Sequence, residues 1–176
     1  GISPASDRRG VARHGDAQSI AQALLTMFRE QPFVYTLDPP KLAENAMDEF
    51  LFETRRGFCE HYASAFALVM RAAGVPARVV TGYQGGEFNP FGGYLIVRQS
   101  DAHAWSEVWI EGRGWMRVDP TAAVAPERIQ GSLIDAVAED EPVPGRLRDA
   151  SPIWMQVELG WDAVNDFWNQ RVVRFD

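Results

Sequence analysis

The chain contains one cysteine, Cys59, and the pattern that follows it places this residue in the first turn of a helix. Ala63, Phe66 and Met70 recur at the spacing of one buried helix face. Backbone N–H groups and the helix dipole stabilise an anion at a helix N-terminus, so this position favours a reactive thiolate. A buried structural cysteine is the alternative interpretation. An internal disulfide is excluded because there is no second cysteine.

A nucleophilic thiol needs a general base and a group that orients this base. His103 begins a predicted strand and Asp119 ends the next one, so both side chains approach the helix start from a sheet. His61 follows Cys59 by two positions on the same helix, about 200° around its axis, and therefore does not face the thiol. His14 lies in a polar N-terminal segment and is predicted to be at the surface. Cys59, His103 and Asp119 thus form a candidate set for acyl transfer through a thioester.

The periodicity of apolar residues predicts helices first and strands afterwards. Helices are predicted at residues 16–29, at residues 45–53 and from residue 59 to the stop signal at Gly74 and Pro76. Strands with short, glycine-containing connections are predicted at residues 77–83, 94–98, 103–110 and 115–119. Such connections favour antiparallel neighbours. We expect an α+β fold in which N-terminal helices pack on an antiparallel β-sheet.

One domain is expected at residues 1–150. A tryptophan-rich extension at residues 151–176 follows it, with a helix interrupted near Gly160.

The strands that carry His103 and Asp119 must pair in one particular register. With a two-residue hairpin loop, Asp119 would lie opposite Ser106, on the face away from His103, because side chains alternate along a strand. A three-residue loop with a glycine at positive φ shifts the pairing by one residue. Asp119 then faces Trp105 and lies diagonal to His103, within reach of its side chain. We predict this odd register and a hydrogen bond between the Asp119 carboxylate and the His103 ring.

The composition of the 176 residues is that of a globular protein, with 46% hydrophobic and 23% charged residues. The formal net charge is −7, which opposes binding to the phosphate backbone of nucleic acids. The apolar runs are far shorter than the roughly 18 residues of a membrane span. One cysteine rules out cysteine-rich zinc sites, and the residues from His103 to Glu107 do not follow the order of a zinc-binding HExxH motif. We expect no nucleic-acid partner, no metal and no organic cofactor.

Several separated segments resemble the transglutaminase-like superfamily, which has a papain-like fold. The segments are residues 56–67, 71–78, 81–83, 102–109 and 114–121. They cover about residues 50–125 without a large gap. In that family the nucleophilic cysteine, the histidine and the aspartate of the triad fall on Cys59, His103 and Asp119. The resemblance implies an acyltransferase, in which a protein glutamine carboxamide acylates the thiolate and a primary amine takes the acyl group.

The resemblance also implies the surroundings of the triad. Tyr83, Trp105 and Glu107 are expected in the walls of the substrate cleft. The Cys59 backbone N–H is expected to donate a hydrogen bond to the oxyanion. Animal members use a tryptophan upstream of the cysteine as an oxyanion donor, whereas the first tryptophan here, Trp105, lies downstream. The second oxyanion donor is therefore unassigned.

Residues 33–40 and 161–168, which flank the core, resemble bacterial inner-membrane members of the superfamily. This implies the periplasmic domain of an inner-membrane protein, with residues 151–176 leading toward a membrane span and the rest of a multi-pass protein as a partner in cis. Two alternatives stay open. A cysteine protease, or an amidase that deamidates glutamine, uses the same triad because both also pass through an acyl-thioester. The other alternative is a non-catalytic periplasmic binding module.

Overall fold

The structure, a computed structural model, describes residues 14–127 and 152–168. Its helices are α1 (His14–Glu30), α2 (Ala46–Asp48), α3 (Cys59–Ala72) and α4 (Pro152–Trp168), with a π-helical turn at Glu49–Thr54 and 3₁₀ turns at Gln99–Asp101 and Pro120–Ala123. Its strands are β1 (Val34–Tyr35), β2 (Arg56–Gly57), β3 (Ala77–Tyr83), β4 (Glu87–Asn89), β5 (Tyr94–Ile96), β6 (Ala102–Ile110) and β7 (Gly114–Val118). Helices precede an antiparallel sheet, which confirms the α+β class.

The main sheet has the antiparallel order β3-β6-β7, with β6 in the centre. In the pair β6–β7, Ser106 lies opposite Val118 and Ile110 lies opposite Gly114. Three residues, 111–113, form the connecting loop, in which Gly112 has φ +79°. The predicted odd register is therefore confirmed. Asp119 follows directly after the last paired residue of β7 and lies on the side of the sheet that the triad requires.

The strand predicted at residues 94–98 is observed as β5, which is antiparallel to its neighbour as expected but ends at Ile96 and lies outside the main sheet. β5 pairs with β4 in a separate two-stranded hairpin, in which Phe88 lies opposite Leu95. The side chain of Asn89 explains the tight return, because its Oδ1 accepts hydrogen bonds from the backbone N–H of Phe91 at 2.9 Å and of Gly92 at 3.2 Å. The chain folds back on itself here instead of adding a fourth strand to the main sheet.

The hydrophobic core lies between the helices and the main sheet. Phe66 and Met70 of α3 are fully buried and belong to the same core cluster as Val108 of β6. Burying one such side chain contributes about 1.5–3 kcal/mol to folding. The hydroxyl of Ser106 donates to the backbone oxygen of Ala63 at 2.9 Å and so fixes α3 along β6. This packing sets the position of the start of α3 relative to the start of β6.

The C-terminal helix α4 packs on the β4–β5 hairpin. Asn89 Nδ2 donates to the backbone oxygen of Leu159 at 2.8 Å, and Leu159 is buried. The helix runs without interruption through Gly160, where a side chain would meet nothing within 4 Å. Its outer face exposes Val157, Trp161 and Val164. Within the described residues, no helix combines the length and the apolar character that a membrane span needs.

Replacing Asn89 with alanine is expected to loosen α4 from the hairpin. The Asn89 side chain is fully buried and bonds both its own loop and Leu159. Leaving the buried backbone oxygen of Leu159 without its donor costs about 1–3 kcal/mol. Amide hydrogen exchange in residues 152–168 should therefore accelerate. Asn45→Ala is the matched control, because Asn45 is exposed and its side chain forms no helix-cap hydrogen bond. Equal exchange rates in the two variants would show that Asn89 does not hold α4.

Candidate active site

Cys59 is the first residue of α3, as the sequence predicts, and it is 7% exposed. The preceding residue, Phe58, is extended (φ −113°, ψ −174°), so the helix begins abruptly at the thiol. Backbone N–H groups of a first helical turn have no acceptor within the helix. The thiol sulfur thus lies at a helix N-terminus, where the helix dipole favours a negative charge.

His61 helps to define this helix start. Its Nδ1 accepts a hydrogen bond from the backbone N–H of Phe58 at 3.3 Å. Gly57 permits this arrangement, because a Cβ at this position would lie 2.7 Å from the Cβ and the Cγ of His61. Burial lowers the pKa of His61, although the charge of Glu60 opposes this. His61 is thus a neutral capping residue with its lone pair engaged, and it is not available to Cys59 as a base.

His103 and Asp119 form a close pair. The Nε2 atom of His103 donates to Oδ2 of Asp119 at 2.7 Å, since a carboxylate only accepts. The side chain of His103 is fully buried, and that of Asp119 is 12% exposed. Oδ1 of Asp119 accepts from the backbone N–H of Thr121 at 3.2 Å, and Arg117 Nη2 lies 3.4 Å from Oδ2. The predicted hydrogen bond is present, and the carboxylate itself is held from two further sides.

The other ring nitrogen of His103 is left for Cys59. Nδ1 is buried and has no hydrogen bond of standard geometry to a described residue. Burial lowers the pKa of His103, but the hydrogen bond to Asp119, the interaction with Cys59 and the negative charges of both residues outweigh burial and raise the pKa to about 9. A contact between a nucleophile and its base is often long or bent before substrate binds. The site is therefore arranged for proton transfer between the thiol and the imidazole.

Trp105 lies behind His103 and does not line the cleft, contrary to the sequence-based expectation. The two rings are stacked, with centroids 6.3 Å apart and an interplanar angle of 25°. The guanidinium of Arg117 covers the Trp105 ring at 4.3 Å. Gly82 allows this close packing, because a Cβ there would lie 2.9 Å from Trp105 Cη2. Trp105, covered by Arg117, thus limits rotation of the imidazole. Trp105 shares a face of β6 with His103 because side chains alternate along a strand, and Arg117 lies on the neighbouring strand β7.

Glu107 also lies outside the cleft. It pairs with Arg78 of β3 at 2.6 Å, and the Arg78 guanidinium in turn lies 4.2 Å from the centre of the Trp115 ring. Glu107 is four residues along β6 from His103, which corresponds to about 13 Å of extended strand. The sequence correctly groups the two residues on one face, but it does not give this distance.

An open cleft of about 520 Å³ adjoins the thiol and the imidazole. Of the three residues expected in its walls, Tyr83 lines it. Sequence reasoning missed the other lining residues, among them Tyr35, Leu37, Gln99 and Ser100. Tyr35 reaches the cleft because the two-residue strands β1 and β2 pair in parallel and put it beside Gly57. Pairing between strands this short leaves no periodic signal in the sequence.

The charge of the cleft lining is simple. Glu60 is the one acidic residue among the described residues that line it, and His103 is the one residue that can carry a positive charge. No group of three or more histidine, cysteine, aspartate or glutamate residues that could hold a metal ion occurs within residues 14–127 and 152–168. The chemistry available to the described side chains is nucleophilic attack by a thiolate assisted by an acid–base imidazole.

Comparison with known proteins identifies the family of this chain. Residues 8–120 match the sequence profile of the transglutaminase-like superfamily, so the chain belongs to this superfamily. A protein-glutamine gamma-glutamyltransferase of Pseudomonas aeruginosa is 50% identical over 171 residues, which are 92% of this chain and 25% of that protein. The uncharacterized protein YebA of Bacillus subtilis is 42% identical over 86 residues, which are 47% of this chain and 12% of that protein.

The fold also resembles that of a solved bacterial protein structure. The crystal structure of the periplasmic domain of TgpA from Pseudomonas aeruginosa superposes with a TM-score of 0.67 and 57% sequence identity. The match covers 70% of this chain and 43% of that chain. This chain therefore spans less than half of the solved domain and about a quarter of the curated Pseudomonas protein. The similarity to a bacterial periplasmic domain, which the flanking residues predict, is confirmed.

Proposed function

We propose that the cleft catalyses transfer of an acyl group from a glutamine carboxamide to a primary amine. The observation that carries the proposal is the hydrogen bond from His103 Nε2 to Asp119 at 2.7 Å, in a cleft that His103 and Cys59 both line. The name of the 50% identical Pseudomonas protein, protein-glutamine gamma-glutamyltransferase, supports this reaction. We infer a protein or peptide glutamine as the acyl donor.

In the first half-reaction, the Cys59 thiolate attacks the carbonyl carbon of the carboxamide. The carbonyl electrons move to oxygen, and the Cys59 backbone N–H donates to this oxyanion from the first turn of α3. When the tetrahedral intermediate collapses, the carbon–nitrogen bond breaks. The His103 imidazolium gives its Nδ1 proton to the leaving nitrogen, and ammonia departs. A thioester on Cys59 and a neutral His103 remain.

In the second half-reaction, an amine attacks the thioester carbon. Neutral His103 takes the proton that the amine nitrogen must lose, and the Cys59 thiolate leaves. The products are an amide, a regenerated thiolate and an imidazolium, so the site returns to its starting charges. Water attacking in place of the amine gives glutamate. Transfer therefore depends on holding the amine in the cleft at a high effective concentration.

The test is incorporation of a fluorescent amine into a glutamine-containing peptide, with Cys59→Ala as the control. We expect a covalent peptide–amine product and ammonia with the wild-type chain, and neither with Cys59→Ala. Ammonia release without amine incorporation would identify an amidase, and cleavage of the peptide chain would identify a protease. Absence of turnover, together with slow alkylation of Cys59, would favour a binding module.

The setting proposed for this activity is the periplasmic side of an inner-membrane protein, of which this chain is one domain. The similarity to the TgpA periplasmic domain and the greater length of the Pseudomonas relative support this. Alkaline phosphatase, which is active only outside the cytoplasm, should be active when fused after residue 168 of the full-length protein. An inactive fusion that is expressed normally would contradict the periplasmic location.

A further inference from the structure

Glu60 is the side chain in the cleft that the reaction described above does not use. It follows Cys59 directly as the second residue of α3, and it is exposed. Glu60 lines the cleft together with Cys59 and His103 and forms no ion pair with a described residue. The first turn of a helix stabilises a carboxylate, so the negative charge persists there without a cationic partner.

We propose that Glu60 is the acceptor subsite for cationic primary amines, such as the side chain of lysine or an alkyl diamine. The proposal rests on the transferase function proposed above and adds a substrate class to it. An alkylamine reaches the site mainly as its ammonium ion, because the pKa of such a group is about 10.4. A carboxylate beside the thioester attracts this ion and holds its nitrogen near the carbon that it must attack.

The charges of the cleft change during the reaction in a way that favours this role. Before acylation, the cleft holds a thiolate, the His103 imidazolium and the Glu60 carboxylate. After ammonia has left, the sulfur is in a neutral thioester and His103 is neutral. Among the described lining residues, Glu60 then carries the remaining charge. The cleft is thus most attractive to a cation at the step in which the amine must replace water.

His103 also takes the proton that the amine loses when it attacks the thioester. The ammonium ion first loses one proton to solvent and so becomes a nucleophile, and neutral His103 takes the second proton during attack. The pKa of His103 is raised to about 9 because Asp119 and Cys59 outweigh the effect of burial. That value belongs to the free enzyme. In the thioester Cys59 carries no charge, but the hydrogen bond and the charge of Asp119 remain and still favour proton uptake by His103. In the first half-reaction Glu60 instead opposes the thiolate and the oxyanion through its charge, and a benefit in the second half-reaction compensates for this.

The experiment measures how the thioester partitions between an amine and water. A glutamine peptide is the acyl donor, and the ratio of amide to hydrolysed product is measured against amine concentration. The two amines are cadaverine, which is cationic, and hydroxylamine, which is uncharged at neutral pH. This partition ratio is independent of the rate of acylation, so an effect of Glu60 on the first half-reaction does not enter it.

In Glu60→Gln, the preference for cadaverine over hydroxylamine is expected to fall about fivefold, as for loss of one partly exposed ion pair. Added salt should reduce the preference in the wild-type chain and not in the variant. Glu53→Gln is the matched control, because Glu53 is also exposed but does not line the cleft. Thermal unfolding of both variants checks that the helix start is intact.

Two results would overturn the subsite. One is an unchanged preference in Glu60→Gln, and the other is an equal fall in the control Glu53→Gln. Failure of the transferase function itself looks different: the wild-type chain would then release ammonia from the peptide and incorporate neither amine. The two failures are therefore distinguished by the wild-type products alone.

Discussion

Replacing Asp119 with alanine is expected to lower kcat/KM for amine incorporation by about 10³- to 10⁴-fold, the usual effect of losing the orienting group of a triad. Asp119 accepts from His103 Nε2 at 2.7 Å and thereby orients the imidazole, which lines the cleft together with Cys59. Without the carboxylate, the imidazole is free to adopt the other tautomer, and the imidazolium loses its counter-charge. Steady-state kinetics with a glutamine peptide and a fluorescent amine measure the effect.

Two further variants separate the loss of His103 orientation from a general effect of removing a carboxylate. In Asp119→Asn, the amide oxygen can still accept from Nε2–H, so we expect a smaller loss than in Asp119→Ala. In Glu107→Gln, the lost contact is the ion pair with Arg78 outside the cleft, and we expect a change of no more than about twofold. Asp119 would lose its assigned role if the alanine variant stayed within tenfold of the wild-type kcat/KM.

The central part of the site was predictable because geometry restricts it strongly. Cys59 precedes an amphipathic helix, and a period of 3.6 residues gives its position directly. His103 and Asp119 meet only in one strand register, and Gly112 and Gly114 make the necessary three-residue loop possible. The structure has both glycines at φ +79° and Ser106 opposite Val118. A chemical requirement and a local sequence pattern here point to the same register.

Other features depend on contacts between distant segments, which a single sequence does not encode locally. Asn89 turns the β4–β5 hairpin away from the main sheet and bonds Leu159, seventy residues later. Tyr35 lines the cleft and belongs to a strand of only two residues. Trp105 and Glu107 share a strand face with His103, as alternation predicts, but packing on Arg117 and Arg78 decides that neither lines the cleft. Periodicity identifies faces, whereas it does not identify which neighbour covers them.

The second large effect is expected in the pH dependence. His103 should titrate near pH 9, well above its ordinary value of 6.5, because the hydrogen bonds and charges of Asp119 and Cys59 outweigh the effect of burial. The first half-reaction needs the protonated ring to release ammonia. The alkaline limb of kcat/KM for the glutamine donor should therefore fall near pH 9. In Asp119→Asn the carboxylate charge is absent, and the limb should move to lower pH.

The same shift links stability to pH with a defined sign. Below about 6.5, His103 is protonated in both the folded and the unfolded chain, and the stabilisation is fully present. As pH rises through the folded value of about 9, the folded chain loses this proton and the contribution disappears. The free energy of unfolding of the wild-type chain should therefore decline over this range. In His103→Ala the corresponding part of the decline should be absent.

Ring nitrogen chemical shifts measured by NMR test the assignment directly, and His61 provides an internal comparison. Burial lowers the pKa of His61, and its Nδ1 already accepts from Phe58, whereas His103 is shifted in the opposite direction. The two imidazoles should thus titrate on opposite sides of 6.5, the ordinary value for histidine. Cys59→Ala removes one of the two groups that raise the pKa of His103, so its midpoint should fall in that variant while that of His61 stays. A His103 midpoint at or below the ordinary value would mean that no thiolate–imidazolium pair forms, and the first half-reaction would then need a different proton donor.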